Sequence, residues 1–83
     1  MQVFLFTQPT CPQCPAAKEA VNCVCNEKHV PVKEINVKTD EGLIKAIEHN
    51  ILSTPTAIVL EGNKVVKAIR GCVSKGELEA CLA

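Results

Sequence analysis

A short apolar segment leads directly into a long amphipathic helix pattern, and this order severely restricts the fold. Residues Gln2–Thr7 are β-prone and mostly apolar, which predicts a buried strand. A helix pattern then runs to about Lys28, and residues 30–37 predict a second strand that Pro31 weakens at its start. Two strands joined by a helix are normally parallel partners in one sheet. The first half of the chain therefore predicts a β-α-β unit.

A second helix pattern opens the other half of the chain. Thr39 or Asp40 is placed to cap its start, because a side-chain oxygen there can accept a hydrogen bond from a first-turn N–H group. We expect Asn50 to end this helix in a left-handed conformation. The apolar residues of the helix share one face: Leu43, Ile44 and Ile47.

A β-hairpin and a third helix complete the pattern. The dipeptide Gly62-Asn63 is a two-residue turn signal between strands predicted over residues 56–60 and 64–70. Ser74 and Glu77 form a capping box that predicts the start of the last helix. The apolar face of that helix comprises Leu78, Cys81 and Leu82.

The element order is β-α-β-α-β-β-α, which predicts one α/β domain spanning residues 1–83. Its core must be aliphatic, because Phe4 and Phe6 are the only aromatic residues. Nine basic residues balance nine acidic ones, so we expect neither nucleic acid nor an anionic membrane as a partner. No apolar run approaches the ~20 residues that a membrane span needs, and the first six residues are too short for a signal peptide. We therefore expect a cytoplasmic protein.

The pair Cys11 and Cys14 stands at the junction between the first strand and the first helix. The thiolate is the nucleophile in disulfide exchange, so a reactive cysteine needs a lowered pKa. Unpaired N–H groups and the helix dipole favour an anion at a helix start. The pattern assigns Cys11 as the attacking thiol and Cys14, one turn further on, as the more buried resolving thiol. Lys18 is the candidate for a side-chain contribution to the lowered pKa.

The prolines around this pair also carry expectations. Pro12 suits the first position of the helix, where a missing N–H costs nothing. Pro15 would then occupy the fourth helical position and remove the first intrahelical hydrogen bond, so we expect a loosened first turn. Gln13 stands between the two cysteines and carries no charge.

A metal-binding module is the alternative from another class. Four of the six cysteines lie within fifteen positions, in the pattern C-x-x-C, eight residues, C-x-C: Cys11, Cys14, Cys23 and Cys25. In one continuous helix Cys23 would lie roughly 15 Å or more from Cys11, whereas metal–sulfur bonds are about 2.3 Å long. The helical projection places Cys25 in the core and Cys23 on the opposite, exposed side. Exchange chemistry is favoured, and the metal site remains the alternative.

These residues and the element order resemble the thioredoxin/glutaredoxin superfamily over nearly the whole chain. The sequence Cys11-Pro12-Gln13-Cys14 has the glutaredoxin form, and its continuation to Lys18 is similar to the small archaeal thioredoxins. Thr54-Pro55-Thr56 is similar to the proline loop of the superfamily. The segment from Gly71 to Leu78 is similar to the C-terminal segment of thioredoxins. The resemblance implies a thioredoxin-like fold, a four-stranded mixed sheet flanked by three helices.

The resemblance also implies the activity and the groove. The chain would be an enzyme, a protein-disulfide reductase that carries electrons in its own Cys11–Cys14 disulfide, with no other cofactor and no metal. Pro12 and Gln13 would support the active site, and the Thr54–Pro55 peptide would be cis and lie against it. A substrate segment would bind along Thr54, Pro55, Gly71 and Cys72. A thioredoxin reductase or similar reductant would return the pair to the dithiol, and we expect a monomer.

The chain departs from the superfamily's usual residues at four places. Thr10 replaces the tryptophan that usually precedes the first cysteine of thioredoxins, and Leu5 replaces their buried aspartate. Gln13 replaces the tyrosine that helps glutaredoxins bind glutathione. The uncharged Cys72-Val73-Ser74 replaces their acidic residues after the glycine. These differences favour a thioredoxin role on a glutaredoxin-sized frame.

Overall fold

The computed structural model describes residues 1–51, 53–71 and 74–82, apart from the side chain of Cys81. The element order β-α-β-α-β-β-α is confirmed. The elements are β1 Gln2–Thr7, α1 Cys14–Lys28, β2 Val32–Asn36, α2 Asp40–Glu48, β3 Thr56–Glu61, β4 Lys64–Arg70 and α3 Lys75–Leu82.

The four strands form one mixed sheet in the order β2-β1-β3-β4. Strand β1 pairs in parallel with β2, as the β-α-β pattern predicted, and antiparallel with β3. Strands β3 and β4 form the predicted hairpin, in which Glu61 pairs with Lys64 around a two-residue turn. Gly62 takes a φ of 63° in that turn, a conformation that glycine adopts without steric cost.

The core lies on both faces of the sheet, because successive residues of a strand point to opposite faces. On one face Val3 and Leu5 of β1 pack with α1 and α3. On the other face Phe6 of β1 packs with Ile35 of β2 and Ala46 of α2. Strand β1 is thus covered on both sides and holds the loop that follows it.

The start of α1 differs from the sequence prediction. The helix begins at Cys14 with Gln13 as its N-cap, so Pro12 lies before the helix and not at its first position. Pro15 is the second helical residue, where the backbone N–H has no intrahelical partner in any case. The first intrahelical hydrogen bond, from the N–H of Ala17 to the C=O of Gln13, is formed at 3.1 Å. The expected loosening of the first turn is therefore wrong.

The caps of α2 and α3 follow the sequence pattern. Thr39 is the N-cap of α2, and its Oγ1 accepts a 3.0 Å hydrogen bond from the N–H of Gly42. Ser74 caps α3 in the same way, accepting from the N–H of Glu77 at 3.1 Å. Asn50 takes the predicted left-handed conformation, with a φ of 56°.

The apolar face of α2 is only partly used in packing. Gly42 and Ala46 are the buried residues of this helix. The three larger apolar side chains that the pattern placed on one face are all exposed: Leu43, Ile44 and Ile47. None of the helices in the described part of the chain is both long and apolar enough to span a bilayer.

Candidate active site

Cys11 and Cys14 form a disulfide in the segment that joins β1 to α1. Their Cα atoms are 5.4 Å apart, within the range that a disulfide requires. Both residues are largely covered, with exposed fractions of 7% for Cys11 and 6% for Cys14. Burial therefore does not distinguish the two residues in the oxidised protein, and the expectation that Cys14 is the more buried rests on a difference of one per cent.

The backbone, rather than burial, gives the two cysteines different surroundings. Cys11 lies in a turn before the helix, where its N–H donates to the C=O of Gln8 at 3.2 Å. Cys14 is the first residue of α1. It shares the inward stripe of that helix with Ala17 and Val21, because positions seven apart on a helix lie within about 20° of each other. One sulfur therefore belongs to the loop and the other to the packed face of the helix.

A cleft of about 320 Å³ opens beside the disulfide. Its walls include Gln8 and Pro9 from the loop after β1 and Pro15 from the first turn of α1. Lys18 of α1 and Glu34 and Asn36 of β2 also line the cleft. Both cysteines line the cleft, so a sulfur atom brought into it meets the disulfide directly.

Lys18 and Glu34 form an ion pair across this cleft. The Lys18 Nζ lies 3.0 Å from Glu34 Oε2, and both side chains are about half exposed. The hydroxyl of the buried Thr7 donates to the other carboxylate oxygen, Oε1, at 3.3 Å. The Lys18 ammonium therefore lies at the cleft and is paired with a carboxylate.

One part of the expectation for the proline loop, its cis peptide, is confirmed. The Thr54–Pro55 peptide is cis. The C=O of Pro55 accepts a 3.0 Å hydrogen bond from the N–H of Gly71, which joins the proline loop to the end of β4. Gly71 takes a φ of 77°, a left-handed conformation that favours glycine.

None of the described groove residues, Thr54, Pro55 and Gly71, lines the cleft at the disulfide. Thr54 lines a neighbouring cleft of about 230 Å³, which shares Gln8 with the cleft at the disulfide. The Oγ1 of Thr54 is buried and has no hydrogen-bond partner among the described residues. Cys72, the fourth predicted groove residue, lies outside the described residues.

The other cysteines are separate from the Cys11–Cys14 pair. Cys25 is buried, as predicted, and burial raises the pKa of its thiol. Cys23 is half-buried rather than fully exposed, and both thiols are free. No group of three or more potential metal ligands occurs in the ranges 1–51, 53–71 and 74–82. The side chain of Cys81 lies outside the described residues.

Sequence reasoning missed the contribution of β2 and of Gln8 to this site. Glu34 and Asn36 reach the cleft because β2 pairs with β1, with Leu5 opposite Glu34 and Thr7 opposite Asn36. The parallel pairing was predictable, but its register was not. The available signal was that Glu34 and Asn36 are two polar residues two positions apart, since such residues share one face of a strand.

A mixed four-stranded sheet, a disulfide at the start of the first helix and a cis-proline loop together define a thioredoxin-fold disulfide protein. Solved structures agree on the fold. Thioredoxin 1 of Thermosipho africanus superposes with a TM-score of 0.84 at 19% identity, covering 96% of this chain and 88% of its own. A thioredoxin mutant of Halobacterium salinarum gives 0.85 at 19% identity, covering 96% of this chain and 69% of its own.

Sequence comparisons give the family. The Glutaredoxin family profile matches residues 3–59. A probable thioredoxin of Archaeoglobus fulgidus is 36% identical over 74 residues, covering 89% of this chain and 77% of the relative. A thioredoxin of Methanocaldococcus jannaschii is 39% identical over 59 residues, covering 71% and 69%. The chain belongs to the thioredoxin/glutaredoxin superfamily and is a thiol–disulfide oxidoreductase, and the metal-binding alternative is not favoured.

Proposed function

We propose that the chain reduces disulfides of protein substrates, with Cys11 as the attacking thiol and Cys14 as the resolving thiol. The observation that supports these two roles is the different placement of the two cysteines in the backbone. Cys14 begins α1 on its inward stripe, whereas Cys11 lies in the preceding turn. Both line the same cleft, so a substrate sulfur can reach the loop cysteine with the helix cysteine close behind it.

The reaction transfers two electrons in two exchange steps. The Cys11 thiolate attacks one sulfur of the substrate disulfide, which forms a mixed disulfide and releases the other substrate sulfur as a thiolate that takes up a proton. The Cys14 thiol then loses its proton and attacks the Cys11 sulfur. The Cys11–Cys14 disulfide forms, and the second substrate sulfur leaves and is protonated. The substrate gains two electrons and two protons, which the dithiol loses.

The residues between and beside the cysteines have positioning roles in this proposal. Pro12 and Gln13 span the turn that sets the separation of the two sulfurs. Thr54, Pro55, Gly71 and Cys72 would hold an extended substrate segment through backbone hydrogen bonds, a form of strand addition. The bond between the Gly71 N–H and the Pro55 C=O supports this, because it ties two of these residues into one surface.

A reductase must return the oxidised pair to the dithiol, and we assign this role to a thioredoxin reductase or a similar reductant. The assignment is supported by the thioredoxin names of the archaeal relatives. The proposal needs no cofactor beyond the Cys11–Cys14 disulfide. We further propose that residues 1–83 form one domain and act as a monomer. The cytoplasm is the proposed location, since a dithiol reductant works in a reducing compartment.

The test is reduction of a model disulfide protein such as insulin, with a thioredoxin reductase and glutathione compared as electron donors. Cys11→Ser should abolish turnover. Cys14→Ser should slow turnover strongly, because the mixed disulfide on Cys11 then has no resolving thiol and accumulates. Cys23→Ser is the matched control, because its thiol lies outside the cleft, and it should retain activity. Normal turnover by Cys11→Ser would overturn the assignment, and turnover with glutathione alone would overturn the choice of reductant.

A further inference from the structure

We propose that Lys18 and Glu34 are an opposed pair of positioning residues, each of which shifts the ionisation of the active-site thiols in the direction opposite to the other. This inference rests on the proposed function of the Cys11–Cys14 pair. In the described part of the chain, Lys18 and Glu34 are the only charged side chains that line the cleft at the disulfide. One charge stabilises a thiolate in that cleft and the other destabilises it.

Lys18 is directed towards the sulfurs by the geometry of α1. It lies four residues after Cys14, so the two side chains occupy the same face of the helix about one turn apart. Side chains of a helix lean towards its N-terminus, which here is the end that holds the disulfide. The long Lys18 side chain therefore carries its ammonium group back along α1 to the cleft.

Glu34, which comes from β2, is held at the cleft by two donors. Its Oε2 lies 3.0 Å from the Lys18 Nζ, and its Oε1 accepts from the Thr7 hydroxyl at 3.3 Å. Thr7 is buried and ends β1, so this contact ties the carboxylate to the strand that leads into Cys11. Both carboxylate oxygens are thus engaged on the cleft side.

Further charges lie on the other side of Glu34, in a cleft of about 240 Å³ between β2 and α2. They are Lys33 of β2 and Glu41 and Lys45 of α2. These groups are unchanged in all the variants below, so they contribute a constant background. The charges that differ between variants are only those of Lys18 and Glu34.

The pair predicts opposite effects for the two single substitutions. Glu34→Gln leaves the Lys18 ammonium without its partner beside the sulfurs, so the thiolate becomes more stable. Lys18→Gln leaves the carboxylate unpaired, so the thiolate becomes less stable. A half-exposed unit charge several ångströms away changes an ionisation constant roughly threefold under water-like screening. The double variant should return close to the wild-type value.

The experiment is a pH titration of the reduced protein, in which thiolate formation is followed by ultraviolet absorbance. Glu34→Gln should raise the ionisation constant of the first thiol to titrate by roughly threefold, and Lys18→Gln should lower it by the same factor. The rate at which iodoacetamide alkylates Cys11 should follow the same order. Glu27→Gln and Lys28→Gln are matched controls at the far end of α1, roughly 15 Å along the helix from Lys18, and should leave the constant unchanged.

Shifts of the same sign in the two single variants would overturn the inference. An unchanged thiol ionisation constant in both single variants would also overturn it. If thermal stability fell without such a change, the ion pair would have a purely structural role. The titration uses reduced protein and needs neither substrate nor reductase. If the proposed function is wrong, the wild-type protein will reduce no disulfide. If only this inference is wrong, the protein will be active but the two single variants will not shift the thiol ionisation constant in opposite directions.

Discussion

The most structure-specific prediction concerns Gly42, at the start of α2. A Cβ built on Gly42 would collide with the carbonyl oxygen of Asn36 and would lie 2.6 Å from the Asn36 carbonyl carbon. It would also lie 2.8 Å from Oγ1 of Thr39. The same Thr39 hydroxyl accepts from the Gly42 N–H at 3.0 Å and donates to the Asn36 C=O at 2.8 Å. Glycine thus lets the helix start lie directly against the end of β2.

Gly42→Ala should destabilise the protein, although alanine is the better helix former. Helix propensity alone would favour alanine by up to ~1 kcal/mol. The added methyl group meets backbone atoms, which cannot rotate away, and overpacking of this kind costs about 1–3 kcal/mol. Displacing the Thr39 cap costs about 1 kcal/mol more. We expect a net loss of about 2 kcal/mol in the free energy of unfolding, or roughly 10 °C in Tm for a chain of this size.

Gly76→Ala is the matched control, because Gly76 is also helical but has no atom within 4 Å of the added Cβ. The same substitution should there raise the free energy of unfolding by a few tenths of a kcal/mol, up to ~1. Urea denaturation of the two variants and the wild type measures both effects. A Gly42→Ala protein as stable as the wild type would refute the reasoning from close contact.

Three further predictions concern the core and the free thiols. Leu78→Ala should cost about 2–4 kcal/mol in urea denaturation, because Leu78 is fully buried and its loss leaves a cavity against α1; a loss below 1 kcal/mol would contradict this. Burial raises the pKa of Cys25, so the folded protein holds this proton more tightly than the unfolded chain. The contribution of the Cys25 proton to the free energy of unfolding should be complete below pH 9.0 and should decrease as the pH rises further. If the Cys25→Ala protein lost stability as steeply with rising pH as the wild type, this prediction would be wrong. In native protein, iodoacetamide should label Cys23 before Cys25, as peptide mass spectrometry can establish, and the reverse order would contradict the burial of Cys25.

The parts of the fold that depend on local patterns were predictable from the sequence. The bounds of β1 and β4 agree with the structure, and the caps at Thr39 and Ser74 form the predicted hydrogen bonds. Cap chemistry and turn chemistry depend on a few adjacent residues, so the sequence carries them directly. The cis peptide before Pro55 came from the resemblance alone, since most X–Pro bonds are trans.

The features that depend on how separate elements meet were not predictable in the same way. Helix α1 begins at Cys14 and not at Pro12 as predicted, because the turn from Gln8 to Gln13 has its own hydrogen bonds. Glu34 reached the disulfide cleft through the register of β2 against β1, which no local pattern specifies. Ile47 follows the apolar periodicity of α2 but remains exposed, because periodicity gives a face and not what covers it.

The assignment of Cys11 as the attacking thiol is tested most directly by trapping the mixed disulfide. Reduced Cys14→Ser protein is mixed with a disulfide substrate, and the adduct is located by mass spectrometry of its peptides. A stable adduct on Cys11 is the expected result, because the resolving thiol is absent. An adduct formed instead by Cys11→Ser protein at Cys14, with none at Cys11 in the Cys14→Ser protein, would contradict it.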